Sequence, residues 1–242
     1  MRADGPLRSF WGAAGIVATG MSLLQGPAAA SELSYTFLDF QSLDQTIGAA
    51  GVQSPVPLQT VSIVAGDGDG IAVGGSVAAG QRFYIAGAYR SSIVEAQGIV
   101  ESPLAAVTVQ DEFDLTHGRL SLGYLFPVGE TLDLIAEVSY DTVTYDFGSL
   151  AGENFDLEDS GVGGKVGLRW NPIPAFELFA FARHSPLGKA NLTTLEFESD
   201  TTAHVGLRWY FFSDLGLGIE HESGDVETTT ISMRFSFGNL PW

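Results

Sequence analysis

A chain of 242 residues with 30 glycines and no cysteine is long enough for one large β domain, and its stability must come without disulfides. Its formal net charge of −18, from 11 Lys+Arg against 29 Asp+Glu, argues against a nucleic-acid partner, because such binders need basic surface to release counterions.

The first thirty residues read as a signal peptide. Arg2 and Arg8 make a basic start, Phe10 to Leu24 is an apolar run, and Ala28-Ala29-Ala30 fits a cleavage site. The run falls short of the ~20 residues a spanning helix needs. Residues 31–242 are then expected to form one domain, exported and without an internal linker.

Alternation with period 2 follows through most of that domain. Glu32 to Gln41 is strand-like with ambiguous faces, since Tyr35 and Phe37 compete with Leu38 and Phe40. Gly70–Ala79, Arg82–Ile93, Phe113–Phe126 and Thr131–Tyr145 each set an apolar face against one of small and charged residues. Val162–Trp170 and Phe176–Arg183 form a hairpin around Asn171-Pro-Ile-Pro-Ala175, because two prolines cannot continue a ladder. Asp200–Phe212, Leu215–Glu222 and Val226–Phe237 complete ten strands, with eight as the alternative count. Tight turns alternate with longer connections, expected as loops over 42–69, 94–112, 146–159 and 185–199. Within the first of these, Gly66-Asp-Gly-Asp-Gly70 is expected to be a flexible loop entering a strand. An even strand count with long loops at one rim predicts an all-β, up-and-down antiparallel transmembrane barrel, its strands ~9–14 residues long and its termini periplasmic.

Alternation alone does not say which face is inside. The polar face carries Gly74, Ser76, Ser121, Gly123, Gly163, Gly167, Gly206 and Gly218, the mixture of small and large that a narrow lumen requires. Arg82 is expected on that face too, together with a lumenal ion network of Arg90, Arg119, Asp133, Glu137, Asp141, Lys165, Arg169, Glu177, Arg183, Arg208, Glu220 and Arg234. A cation on the lipid face instead would cost about 2–4 kcal/mol near the midplane. On the apolar face Phe83, Tyr124, Phe126, Trp170, Phe176, Trp209, Phe211, Phe235 and Phe237 gather at the tight-turn end, as an interfacial aromatic girdle would.

The stretches 118–140, 161–181 and 204–237 resemble small outer-membrane β-barrel proteins of Gram-negative bacteria, the OmpA-like barrel superfamily and its single-domain relatives. The resemblance implies residence in the outer membrane, contact with its lipid and lipopolysaccharide, and folding by the barrel assembly machinery. Such chains usually end on the aromatic residue of the last strand, whereas here Gly238-Asn-Leu-Pro-Trp242 follows Phe237.

No nucleophile signature accompanies the four histidines, His117, His184, His204 and His221, and no cofactor or metal motif stands out. The expected function is therefore non-enzymatic, structural or surface-directed, through the acidic long-loop rim. A narrow porin-like channel is the alternative, and a surface hydrolase the third reading.

Overall fold

The computed structural model describes residues 35–47, 50–53, 60–102, 105–150, 153–191 and 196–237. All regular structure in them is β: β1 (Phe37–Ile47), β2 (Ala50–Gln53), β3 (Thr60–Ala78), β4 (Phe83–Ser102), β5 (Ala105–Pro127), β6 (Leu132–Leu150), β7 (Glu153–Ile173), β8 (Phe176–Asn191), β9 (Glu196–Phe212), β10 (Leu215–Ser223) and β11 (Val226–Ser236). Every pairing is antiparallel, and β1 pairs both with β11 and with β3, so the sheet closes. The short β2 pairs with β3 beyond the end of β1, leaving ten staves in the wall. Closure removes the edges where all ten staves run side by side, so ladder groups there find partners on both sides. The expectations for residues 1–30 and 238–242 lie outside the described residues.

Both ends of the wall meet at one rim. The Phe237 amide donates to the Thr36 carbonyl at 2.8 Å, beside the turns at 79–82, 128–131, 174–175 and 213–214. Gly80 takes a φ of 90° in the first of these, a left-handed conformation glycine adopts without strain. We call this the turn rim and the opposite end the far rim. Pro172 does not stop β7 as expected; the strand runs to Ile173 through a register shift after Trp170, and the turn narrows to Pro174-Ala175.

The larger correction concerns the far rim. The four segments expected as loops are mostly wall: β3 and β4 pair from Thr60 to Tyr84, and β4 and β5 from Phe83 to Ala105. Strands reach 23 residues in β5 and 21 in β7, well beyond the 9–14 expected. Gly66-Asp-Gly-Asp-Gly70 lies within β3 and is no loop; a Cβ at Gly68 would stand 2.8 Å from the Ile93 carbonyl oxygen and 2.9 Å from the Val94 side chain. The cause is an inversion of polarity at constant parity. Nearer the turn rim, outward positions are apolar and inward ones polar. Toward the far rim, Ile47, Val94, Phe113, Leu115, Val143, Tyr145, Leu157 and Leu187 turn inward and pack together. Their strand neighbours Glu95, Glu112, Asp114, Asp146, Asp156 and Glu158 face outward, exposed. Water thus surrounds a closed wall with an apolar core there, and the pairing continues.

Candidate functional site: the charged lumen

Two inward zones follow one another along the barrel. In the turn-rim half Tyr35, Tyr84, Leu125 and Ile135 pack with Phe181. The apolar cluster just described fills the far part. The ion network shares the turn-rim half, with Asp133 and Glu177 each one residue inside the start of its strand.

Its centre is Arg208 on β9, 1% exposed. One terminal nitrogen reaches Glu177 Oε1 at 2.7 Å, and the other reaches Glu220 Oε1 at 2.8 Å and stands 3.6 Å from Asp39 Oδ2. Glu177 also accepts from Arg169 at 2.6 Å and from the Tyr210 hydroxyl at 3.0 Å. Arg234 donates through Nε to Asp39 Oδ2 at 3.0 Å and stands across the lumen from Glu177. Aromatic faces cover the cations: Arg169 lies 4.6 Å from the Tyr35 ring centre and Arg234 3.6 Å from that of Phe37. The faces of β1 are thereby resolved, with Tyr35, Phe37 and Asp39 inward and Phe40 out.

A second group sits farther toward the far rim. Asp141, fully buried, accepts from Arg119 at 3.0 Å and pairs with Arg183 at 3.2 Å. Glu222 pairs with Arg90 at 3.0 Å and Arg183 at 3.5 Å, and accepts from the Thr202 hydroxyl at 3.0 Å. Lys165 and Glu137 meet at 2.8 Å, and the Tyr84 hydroxyl donates to the same carboxylate. Asp133 stands apart. It is fully buried, accepts from the Tyr35 hydroxyl at 2.9 Å, and has no ion pair among the described residues.

The structure thus brings eleven of the twelve expected network residues into ion pairs and gives Asp133 a tyrosine instead. Sequence reasoning missed Asp39 and Glu222, and the tyrosines that complete their neighbours' hydrogen bonds. Arg82 is not lumenal: it is exposed in the turn at 79–82 and donates to the Tyr124 hydroxyl at 3.3 Å. With Asp39 and Glu222 included, seven basic side chains face seven carboxylates, so the network is balanced. Bringing single charges into such a site would be prohibitive, and pairing with geometry this close offsets the desolvation.

The expected girdle residues are exposed or half-buried on the outer wall near the turn rim. Phe83, Tyr124 and Phe126 stack edge to face there, as do Trp209 and Phe211, while Phe176 and Trp209 stack in parallel. Above them Leu120 is 60% exposed and Val162 67%, with Val138, Val166, Ile219 and Ile231 beside them on the same outer surface. A wall apolar outside and charged inside is the reverse of a water-soluble barrel and is built to sit in lipid.

Among the described residues the histidines have quiet partners. His184 and His221 face outward against the Thr201 and Thr229 hydroxyls; His204 pairs with Glu220 at 3.1 Å, and His117 lies 3.7 Å from Asp141. No serine hydroxyl contacts a histidine, and no group of three or more metal-ligating side chains occurs, among those residues.

No family model matches the sequence, and no curated protein matches it. Solved structures match the chain at low similarity. The translocator domain of the autotransporter NalP from Neisseria meningitidis is 15% identical, over 95% of this chain and 96% of that one, at a TM-score of 0.48. The β domain of the Bordetella autotransporter BrkA is 12% identical over 84% and 100% of the two chains, at 0.45. An outer-membrane channel from Pseudomonas putida F1 is 10% identical over 88% and 99%, at 0.46. At such values the fold of this chain rests on its own register, which closes ten staves into one antiparallel barrel.

Proposed function

We propose that the protein is a non-enzymatic outer-membrane barrel whose own side chains close its lumen, and whose acidic far end contacts partners at the cell surface. The observation that carries this reading is the balanced network: cation and carboxylate meet across the lumen, with an apolar layer beyond it toward the far rim. A pore for diffusing solutes would leave unpaired charge and water along its axis. The apolar outer band and aromatic girdle suit a bilayer, and the acidic wall beyond them suits water on the far side. In this reading 1–30 is a cleaved signal peptide, the assembly machinery inserts the barrel, and the far end stands in or above the lipopolysaccharide.

Planar-bilayer recording tests the closed lumen. The purified, folded protein should give no stable conductance of porin size, and such a conductance would reject the reading. An epitope tag placed between β2 and β3 tests the orientation; it should react on intact cells, and reaction only after lysis would reverse the topology.

One observation favours the narrow-channel alternative. A cavity of about 170 Å³ lies within the network and another of about 70 Å³ beyond it, and Arg90 lines both. In that reading the Arg90–Glu222 pair separates two chambers of one ion path, and a small steady conductance would support it.

A further inference from the structure

The larger cavity is not neutral to what enters it. Of the lumenal lysine, arginine and carboxylate side chains, those that keep the most surface are Lys165, Arg90 and Arg119, at 20%, 19% and 15%. All three line the cavity of about 170 Å³. Their carboxylate partners are more deeply covered: Glu137 keeps 5%, Glu222 8% and Asp141 none. Asp39, Glu137, Glu177 and Glu220 line the cavity as well, yet the charged side chains that keep the most surface there are Lys165, Arg90 and Arg119.

These cations also hold donors in reserve. Arg119 spends Nε on Asp141 and Arg90 one terminal nitrogen on Glu222, while Lys165 gives one of its three protons to Glu137. The carboxylates have little to offer in return, since Asp141 is shared by Arg119 and Arg183, and Glu222 by Arg90 and Arg183. Register adds a further bias. Lys165 stands directly opposite Arg183 across β7 and β8, a like-charge pair that an anion would relieve.

Small residues beside these cations supply room. Gly74, Ala86, Ala88 and Ser121 line the same cavity from β3, β4 and β5. A Cβ on Gly74 would meet nothing nearer than 3.6 Å, an ordinary van der Waals contact, so a side chain can begin at this position without a clash. A water molecule takes roughly 30 Å³ of liquid, so about 170 Å³ can take a small inorganic anion with part of its hydration.

We propose that this chamber binds a small inorganic oxyanion, held by the free guanidinium donors of Arg90 and Arg119 and by the Lys165 ammonium. A pair of oxyanion oxygens matches the guanidinium fork, and low dielectric strengthens the attraction. The rest of the molecule disfavours such ligands, because the formal charge is −18 and the far wall is acidic. Uptake of an anion must therefore overcome the protein's overall field, which makes an adventitious surface site a poor explanation.

The test is calorimetric titration of the folded barrel in neutral detergent with inorganic phosphate. The unmodified protein should show saturable, near-stoichiometric binding that weakens as chloride is raised. Gly74→Leu leaves every charge in place and fills the chamber, and should weaken binding at least tenfold. Arg119→Gln should do the same while Asp141 keeps Arg183. Heat-modifiable migration on gels verifies that each variant is folded. No saturable binding by the folded unmodified protein overturns the proposal, and so does undiminished binding in both folded variants. Neither result bears on conductance, so the closed-lumen reading stands or falls separately.

Discussion

Arg208 shows how much one lumenal side chain can carry. Three carboxylates, Asp39, Glu177 and Glu220, converge on a guanidinium with almost no exposure. Substituting Arg208→Leu would keep most of the volume and strand three acids in a low-dielectric site. Removing one partner of a buried pair costs about 3–5 kcal/mol, far more than an exposed pair is worth. The variant should unfold at markedly lower urea concentration in detergent, and an unchanged midpoint would mean the network adds little. Arg208 could be found from sequence because its strand alternates cleanly. Asp39 could not, since aromatic residues stand on both faces of β1 and those on the inner face cover cations rather than meeting lipid. The missing signal was the register with β11, which sets Asp39 opposite Arg234. Glu222 was hidden differently: it falls among the rim acids, and only the depth of β10 shows it pointing inward.

Whole strands were legible where lipid contact and a charged lumen act together, and illegible where that contrast reverses. In β5, outward Leu120 and Leu122 alternate with inward Arg119 and Ser121; farther along, inward Phe113 and Leu115 alternate with outward Glu112 and Asp114. Period 2 is unbroken, but a reader tracking one apolar face sees the pattern end. Glycines on these elements also have uneven meaning. A Cβ at Gly167 would meet the Ala180 carbonyl oxygen at 2.1 Å, and one at Gly123 would meet the Tyr84 ring at the same distance. Backbone cannot step aside as a ring can, although this ring is tied to Glu137. Alanine at 167 should therefore destabilise most, alanine at 123 by about 1–3 kcal/mol as overpacking does, and alanine at 74 hardly at all. Urea midpoints of the three variants would check the order, and equal losses would show that the cross-strand contacts do not control it.

The molecule as a whole separates its charges by depth. Inside, opposite charges pair; outside, on the far wall, like charges face one another across the ladders. Asp44 opposes Asp69, Asp67 opposes Glu95, Glu95 opposes Glu112, and Asp146 lies between Asp114 and Asp156. No lysine or arginine occupies a described outward position on this part of the wall. Like charges directly opposite destabilise a sheet, and exposed ones are screened over about 8–10 Å at physiological salt. Buried lumenal pairs feel that screening far less. Added monovalent salt should therefore raise the stability of the folded barrel, the opposite of what a protein held by surface ion pairs would do. The increase should shrink in Asp69→Asn, which removes one opposed carboxylate and leaves the lumen untouched, while the variant should exceed the unmodified protein at low salt. Urea unfolding in neutral detergent across a salt series reads both effects. A fall in stability with salt would show that exposed attraction, and not the facing carboxylates, governs the outer wall.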